Sequence, residues 1–306
     1  MSRLHADIAL VLAAALWGVA FLFQKAAMDH VGPLAFIAAR SAVAALALAP
    51  LAWSEHRGMP ARPGPAFWAI AIWGGLAFFV AAWLQQAGLV TATVTSTGFL
   101  TALYVVLTPF VALAWTGRAP GPAVWPAVAL SALGTWLLGG GTLSAFSAGD
   151  GLVALSALFW AIHVVVTGRA ARFGRPMAYT AVQFAAIAAL AAVGSAGGET
   201  VSPAGLAGAA VDILYVGLLS SALAFAVLTV ALQYTPPSEA AVIVSLETVF
   251  AALAAYLVLG ERLSALGWVG AGLILLATLL LQLGTALPGS WTARFARGRG
   301  EGVTKT

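Results

Sequence analysis

The sequence predicts an all-α integral membrane protein, with ten transmembrane helices in a five-plus-five inverted repeat. Three observations predict it. First, only 8% of residues are charged and 62% are hydrophobic, with a mean hydropathy of +0.99. A soluble domain carries roughly 25% charged residues, so this chain cannot cover a water-facing surface. Second, ten apolar segments follow one another, each near the length of about 20 residues that crosses a bilayer. Third, the chain repeats itself without a gap at an offset of 143, from residue 7 to residue 138. Asp7 matches Asp150, Trp17 matches Trp160, Pro33 matches Pro176 and Pro60 matches Pro203. Gly74 matches Gly217, Gly117 matches Gly260, Trp125 matches Trp268 and Thr135 matches Thr278. The loop charges do not match: Asp29 and Gly32 correspond to Arg172 and Arg175, and Arg57 and Arg62 to Thr200 and Gly205. Copies with different loop charge suit opposite orientations in a membrane.

The elements follow in order. The first span, 7–27, comes after Arg3 and reads as a span rather than a signal peptide, because no cleavage site follows Ala20. Gly32-Pro33 opens the second, 34–53, and Pro63-Gly64-Pro65 the third, 66–88. The joint at 88–92 is so short that the fourth span, 92–115, must be an antiparallel neighbour. Pro120-Gly121-Pro122 separates it from the fifth, 123–141. The second copy supplies 151–169, 177–196, 207–232, 237–259 and 264–286. Gly197-Gly198 and Pro236-Pro237 mark two of its breaks. Thr235 is the expected cap of the ninth span, with Pro at its first position and Glu239 in its first turn. The domains are thus 1–143, 144–286 and a basic tail, 287–306.

Lys and Arg set the orientation. With the N-terminus inside, the inner segments hold eleven: Arg3, Arg57, Arg62, Arg118, Arg169, Arg172, Arg175, Arg294, Arg297, Arg299 and Lys305. The outer loops hold one, Arg262. Both termini are therefore expected in the cytoplasm. Five spans per copy is an odd number, so the second copy must run in the opposite sense, which independently accounts for the mismatched loop charges. The basic tail is then a cytoplasmic membrane end rather than a nucleic-acid arm.

Polar side chains at hydrocarbon depth need a reason to be there. Arg40 lies two turns into the second span, opposite Gln183 in the repeat; Glu247 lies near the middle of the ninth, opposite Tyr104. A carboxylate at that depth must pair, take a proton or face water, and Arg40 is its candidate partner. His163 lies mid-way along the sixth span. Trp17 and Trp160 hold equivalent positions, suited to lining a cavity between the repeats. Lys25 is expected to snorkel outward beside Asp29. Ser131, Thr135, Gly267 and Ala271 suit close packing of the fifth and tenth spans, or a dimer face. Trp17, Arg40, Tyr104, His163, Gln183 and Glu247 are the candidate substrate-binding set. Each has a structural alternative, a helix-end cation for Arg40 and an interhelical hydrogen bond for His163. There is no Cys and the four His are scattered, which argues against a metal site. No phosphate loop or His-Glu-x-x-His pair occurs, so no catalytic residue, cofactor or ATPase motor is expected.

Ala15-Leu16-Trp17-Gly18, Ala157-Leu158-Phe159-Trp160 and Tyr104-Val105-Val106-Leu107-Thr108-Pro109 resemble the drug/metabolite transporter superfamily and its EamA domains. So do Glu247-Thr248-Val249-Phe250, Leu259-Gly260-Glu261-Arg262-Leu263 and Gly270-Ala271-Gly272-Leu273-Ile274, although that family commonly has Pro where Thr248 stands. The chain looks most like the YddG-type amino-acid exporters. The resemblance implies a bacterial inner-membrane secondary transporter that exports neutral or aromatic amino acids by alternating access, with proton coupling or passive flux both open. A ten-span chain can pack its small-residue faces within itself, so a monomer is expected, with a dimer as the alternative. The competing readings are a multidrug or nucleotide-sugar-like carrier and, from another class, an integral-membrane enzyme. The charge bias makes a direct prediction. A single Cys at position 30 or 198 should react with an impermeant label in intact cells, and one at 58 or 173 should not. The reverse pattern overturns the orientation.

Overall fold

The computed structural model describes residues 1–59, 62–117, 119–138, 140–141, 147–260, 262 and 264–286. The basic tail 287–306, Arg118, Glu261 and Leu263 lie outside the described residues, as does the expected domain boundary at 143. Helices alone carry the described chain. The first three spans are Arg3–Ala27, Pro33–Arg57 and Pro65–Leu89. The fourth is two half-helices, Val94–Thr101 and Tyr104–Thr116, and the fifth is Val124–Leu138. The second copy gives Ala148–Ala170 and Pro176–Gly198, then an eighth span from Ala210 to Ala231 after the short helix Pro203–Gly208. The ninth is again two half-helices, Pro237–Val244 and Glu247–Leu259, and the tenth is Ala265–Ala286. Eight of these spans reach the length and hydropathy of a membrane crossing, and the fifth and tenth are shorter apolar helices. The chain is a multi-pass membrane protein, a five-plus-five inverted repeat of ten helices.

The packing is symmetric under exchange of the copies. The second and seventh spans pack on each other, as do the fifth and tenth. The third packs on the sixth just as the eighth packs on the first, and the fourth on the sixth as the ninth on the first. Every principal contact therefore joins one copy to the other. The matched residues explain why. Pro33 and Pro176 each open a span from its first turn, where a missing N–H costs nothing. Gly117 and Gly260 each end a half-helix with φ of 66° and 69°, a conformation that favours glycine. A Cβ on Gly217 would stand 3.0 Å from the Arg40 carbonyl, and one on Gly74 would strike the Tyr179 hydroxyl. These glycines let the eighth span approach the second, and the third approach the seventh.

Hydrogen bonds define two faces. On the near face, which carries the N-terminus, Arg3 pairs with Glu239 and Thr235 Oγ1 donates to Asp7 at 2.7 Å. On the far face, Ser96 Oγ donates to Asp150, the repeat mate of Asp7. Two sequence expectations are corrected here. Thr235 does not cap the ninth span: Pro236 holds the cap position without a side-chain bond, and the Thr235 hydroxyl is spent on Asp7. Lys25 does not snorkel beside Asp29. Its Nζ donates to the carbonyls of Leu89, Val90 and Ala92 at 2.8 to 3.0 Å, because the third span ends there with unsatisfied acceptors and its negative dipole end.

The second and seventh spans cap each other. Neither has a side-chain cap of its own, since Gly32 and Arg175 hold the cap positions. The Glu199 carboxylate accepts from the Leu34 and Ala35 N–H groups at 2.9 and 2.7 Å. The Glu55 carboxylate accepts from Met177 and Ala178 at 3.2 and 2.8 Å. Each acid meets orphan donors at a positive helix end. Glu55→Ala and Glu199→Ala should each cost about 1 kcal/mol in thermal unfolding. The two losses should add, because the caps sit on opposite faces. No change in either variant would show that the caps carry no stability.

Candidate functional site

The breaks in the fourth and ninth spans position the site. At both, the chain tightens to i→i−3 bonding: Leu103 N–H donates to the Leu100 carbonyl and Val105 to Ala102, and Leu246 donates to Ile243 and Thr248 to Ser245. The breaks fall at equivalent points of the repeat. Tyr104 and Glu247, mates in the sequence, each begin the half-helix that follows. The Tyr104 phenol interacts with the Glu247 carboxylate at the centre of the molecule. Serine and threonine side chains hold the ninth-span break open. Ser245 Oγ donates to the Val242 carbonyl at 2.6 Å and Thr248 Oγ1 to the Ser245 carbonyl at 2.8 Å. Ser131 of the fifth span bonds Ser245 at 2.9 Å, so one small polar residue of the fifth span serves an intramolecular contact.

A second irregularity faces these breaks. Tyr215–Leu223 of the eighth span is a π-helix. Such segments mark many functional sites. The indole Nε1 of Trp17 donates to the Ser220 carbonyl at 2.9 Å, and Arg40 Nη1 donates to Ser221 Oγ at 3.3 Å. The corresponding stretch of the third span is regular helix, so Trp160 finds no carbonyl in Trp17's manner. Its Nε1 is buried without a partner.

These elements enclose a cavity with about 580 Å³ of atom-free space, its mouth included. Trp17, Arg40, Tyr104, Trp160, His163 and Glu247 all line it, with Ser220, Phe225, Gln85 and Thr101. Phe21, Gln24 and Gln85 carry the lining toward the far face, while Phe225, Leu228 and Val164 bound it toward the near face. Gln183 is not among the lining residues. It stands behind the wall, with Oε1 3.0 Å from His163 Nε2.

Arg40 and Glu247, only 3% and 5% exposed, share the cavity without pairing. Among the described residues the ion pairs are Arg3 with Asp7 and with Glu239. Arg40 Nε and Glu247 Oε1 are both buried without a hydrogen-bond partner. The expected Arg40–Glu247 pair does not form, because Arg40 turns to the Ser221 hydroxyl of the π-segment. An aromatic cluster built on Phe225 lines the same cavity: its ring lies 4.8 Å from Trp17, 6.0 Å from Trp160 and 4.7 Å from Phe78, centroid to centroid.

Sequence reasoning reached the aromatic mates and the deep charges. It missed Ser220, Ser221 and Phe225, whose position depends on a π-segment that no Pro or Gly pair announces. It also treated the fourth and ninth spans as continuous, although Ser245, Thr248 and Pro109 beside the breaks were the available signals.

Ten crossings in an inverted repeat, closed around a cavity where the copies meet, are the architecture of secondary transporters. Residues 4–140 and 147–283 each match the EamA-like transporter family, and the chain belongs to it. It is 31% identical over 286 residues to an uncharacterized transporter of Archaeoglobus fulgidus, covering 92% of this chain and 87% of that one. A solved crystal structure superposes with a TM-score of 0.76 at 20% identity, covering 92% of this chain and 98% of its own, and shares the fold.

The two tryptophans differ in a measurable way. Trp17→Phe strands the Ser220 carbonyl and should cost about 1 kcal/mol in thermal unfolding. Trp160→Phe trims a similar ring but removes a donor that has no protein partner, so its loss should be smaller by about 1 kcal/mol. Equal losses would contradict the asymmetry.

Proposed function

We propose that this transporter exports neutral amino acids with apolar or aromatic side chains across a bacterial inner membrane, with both termini in the cytoplasm. One observation carries the reading. A buried guanidinium and a buried carboxyl group line one cavity without pairing, beside aromatic rings, and each keeps an unpartnered atom. A zwitterion satisfies both at once: its carboxylate meets Arg40 and its ammonium meets Glu247 as charge-assisted bonds. The side chain then lies against Trp17, Trp160 and Phe225. A cationic drug would leave Arg40 unanswered. A nucleotide sugar needs several cations for its phosphates, and Arg40 is the one cation that lines the cavity among the described residues.

Alternating access follows from the repeat. In this reading the two copies rock about the fixed cavity. The joint at 89–92, held by Lys25, gates the far face. The equivalent joint gates the near face, where Pro237 lies 2.6 Å from a Cβ built on Gly168. Glu247, in contact with Tyr104, is the proposed proton-coupling group.

Purified protein in liposomes should catalyse counterflow of labelled phenylalanine or methionine. Arg40→Met should lower it at least about ten-fold. Glu247→Gln should abolish accumulation driven by a pH gradient. Failure of phenylalanine, tryptophan, methionine and threonine to cross above the empty-vesicle rate ends the amino-acid reading. Undiminished pH-driven accumulation in Glu247→Gln ends the coupling role.

A further inference from the structure

Behind the aromatic wall lies a polar arrangement that the amino-acid reading leaves unused. His163 lines the cavity, and its imidazole is fully buried between aromatic rings: Phe78 at 5.1 Å, Phe225 at 5.7 Å and Trp160 at 5.9 Å, centroid to centroid. Its Nε2 edge is turned away from that wall, 3.0 Å from Gln183 Oε1 and 3.2 Å from Thr167 Oγ1. Thr167 Oγ1 in turn lies 3.0 Å from the Tyr179 hydroxyl. The other ring nitrogen, Nδ1, is buried with no partner.

With its Oε1 turned to the ring, the Gln183 amide accepts there, and that orientation calls for a hydrogen on His163 Nε2. In a neutral imidazole the other nitrogen is then a bare acceptor. We propose that Gln183 is a positioning residue. It holds His163 as the Nε2–H tautomer, so that Nδ1 presents the one acceptor set into the aromatic wall and reads a hydrogen-bond donor on the substrate's side chain. The inference rests on the cavity being the amino-acid site. Within that class it gives preference to aromatic side chains that carry a single N–H or O–H. Such a site favours the donor-bearing analogue because its partner leaves a buried acceptor unsatisfied. Gln183 and Arg40, equivalent in the repeat, thus take different tasks: Arg40 faces the cavity, and Gln183 acts through His163.

Two measurements test this. The first needs no substrate. With 15N-histidine labelling of the full protein in nanodiscs, the signal lost in His163→Ala identifies His163. It should report a neutral ring protonated at Nε2. Gln183→Glu keeps an acceptor and should keep that tautomer; Gln183→Met should release it to a mixture. A wild-type ring protonated at Nδ1, or an unchanged tautomer in Gln183→Met, overturns the proposal. The second measurement is competition of unlabelled tyrosine and phenylalanine against labelled phenylalanine counterflow. Tyrosine should compete about ten-fold better in the wild type. That preference should fall to near parity in His163→Ala and Gln183→Met and return in His163→Asn, whose amide can offer an acceptor. Each variant is scored by its tyrosine-to-phenylalanine competition ratio, referred to its own phenylalanine counterflow. Equal competition in the wild type, or a preference that survives Gln183→Met, refutes the role. If no amino acid crosses at all, the amino-acid reading fails by itself, and the tautomer measurement still decides whether Gln183 orients the ring.

Discussion

In hydrocarbon a polar group has no water to fall back on, so it must find a partner inside the protein. The rest of this architecture depends on that constraint. Helices satisfy their own backbone, but their first N–H and last C=O groups remain orphaned. Here the copies satisfy each other. Glu199 closes the start of the second span and Glu55 the start of the seventh, one on each face. Lys25 serves the frayed end of the third span. These bonds hold ten helices as one molecule where apolar attraction between helices is weak.

The same constraint gives the cavity its meaning. An unpartnered buried group is costly, on the order of 1–3 kcal/mol and more when charged. Arg40 Nε, Trp160 Nε1, His163 Nδ1 and Glu247 Oε1 are all unpartnered, and all belong to residues that line one space. Such atoms also occur off the cavity, at Ser41, Gln86 and Gln183, but these four share one space that a polar guest can enter. The broken fourth and ninth spans add to it by placing two half-helix starts, at Tyr104 and Glu247, where the copies meet.

Symmetry explains the scaffold, and departures from symmetry explain the site. Trp17 and Trp160 are mates, yet only Trp17 meets a carbonyl, that of Ser220 in the π-segment of the eighth span. Lys25 and Gly168 are mates, yet one bridges its joint with a long side chain and the other lets Pro237 approach closely. Ser96 and Glu239 are mates, yet one gives its face a hydroxyl bond and the other an ion pair. Identical halves would balance the two faces. These substitutions give each face its own closing chemistry.

The sequence by itself determined the class, the number of crossings and the repeat, because each rests on local pattern. Low charge forces lipid as solvent, Pro and Gly punctuate the spans, and matched Trp, Pro and Gly report equivalent backbone environments. It also singled out deep polar residues, since hydrocarbon penalises each one individually wherever its neighbours lie. Only the tertiary structure decided which of them meet. Arg40 bonds Ser221 rather than Glu247, Thr235 turns to Asp7 rather than to its own helix, and Gln183 stands behind His163 instead of facing the cavity. The choice among partners depends on helix breaks and rotations that shift a side chain by a fraction of a turn. Such shifts come from packing between residues far apart in the chain, for which no local pattern exists.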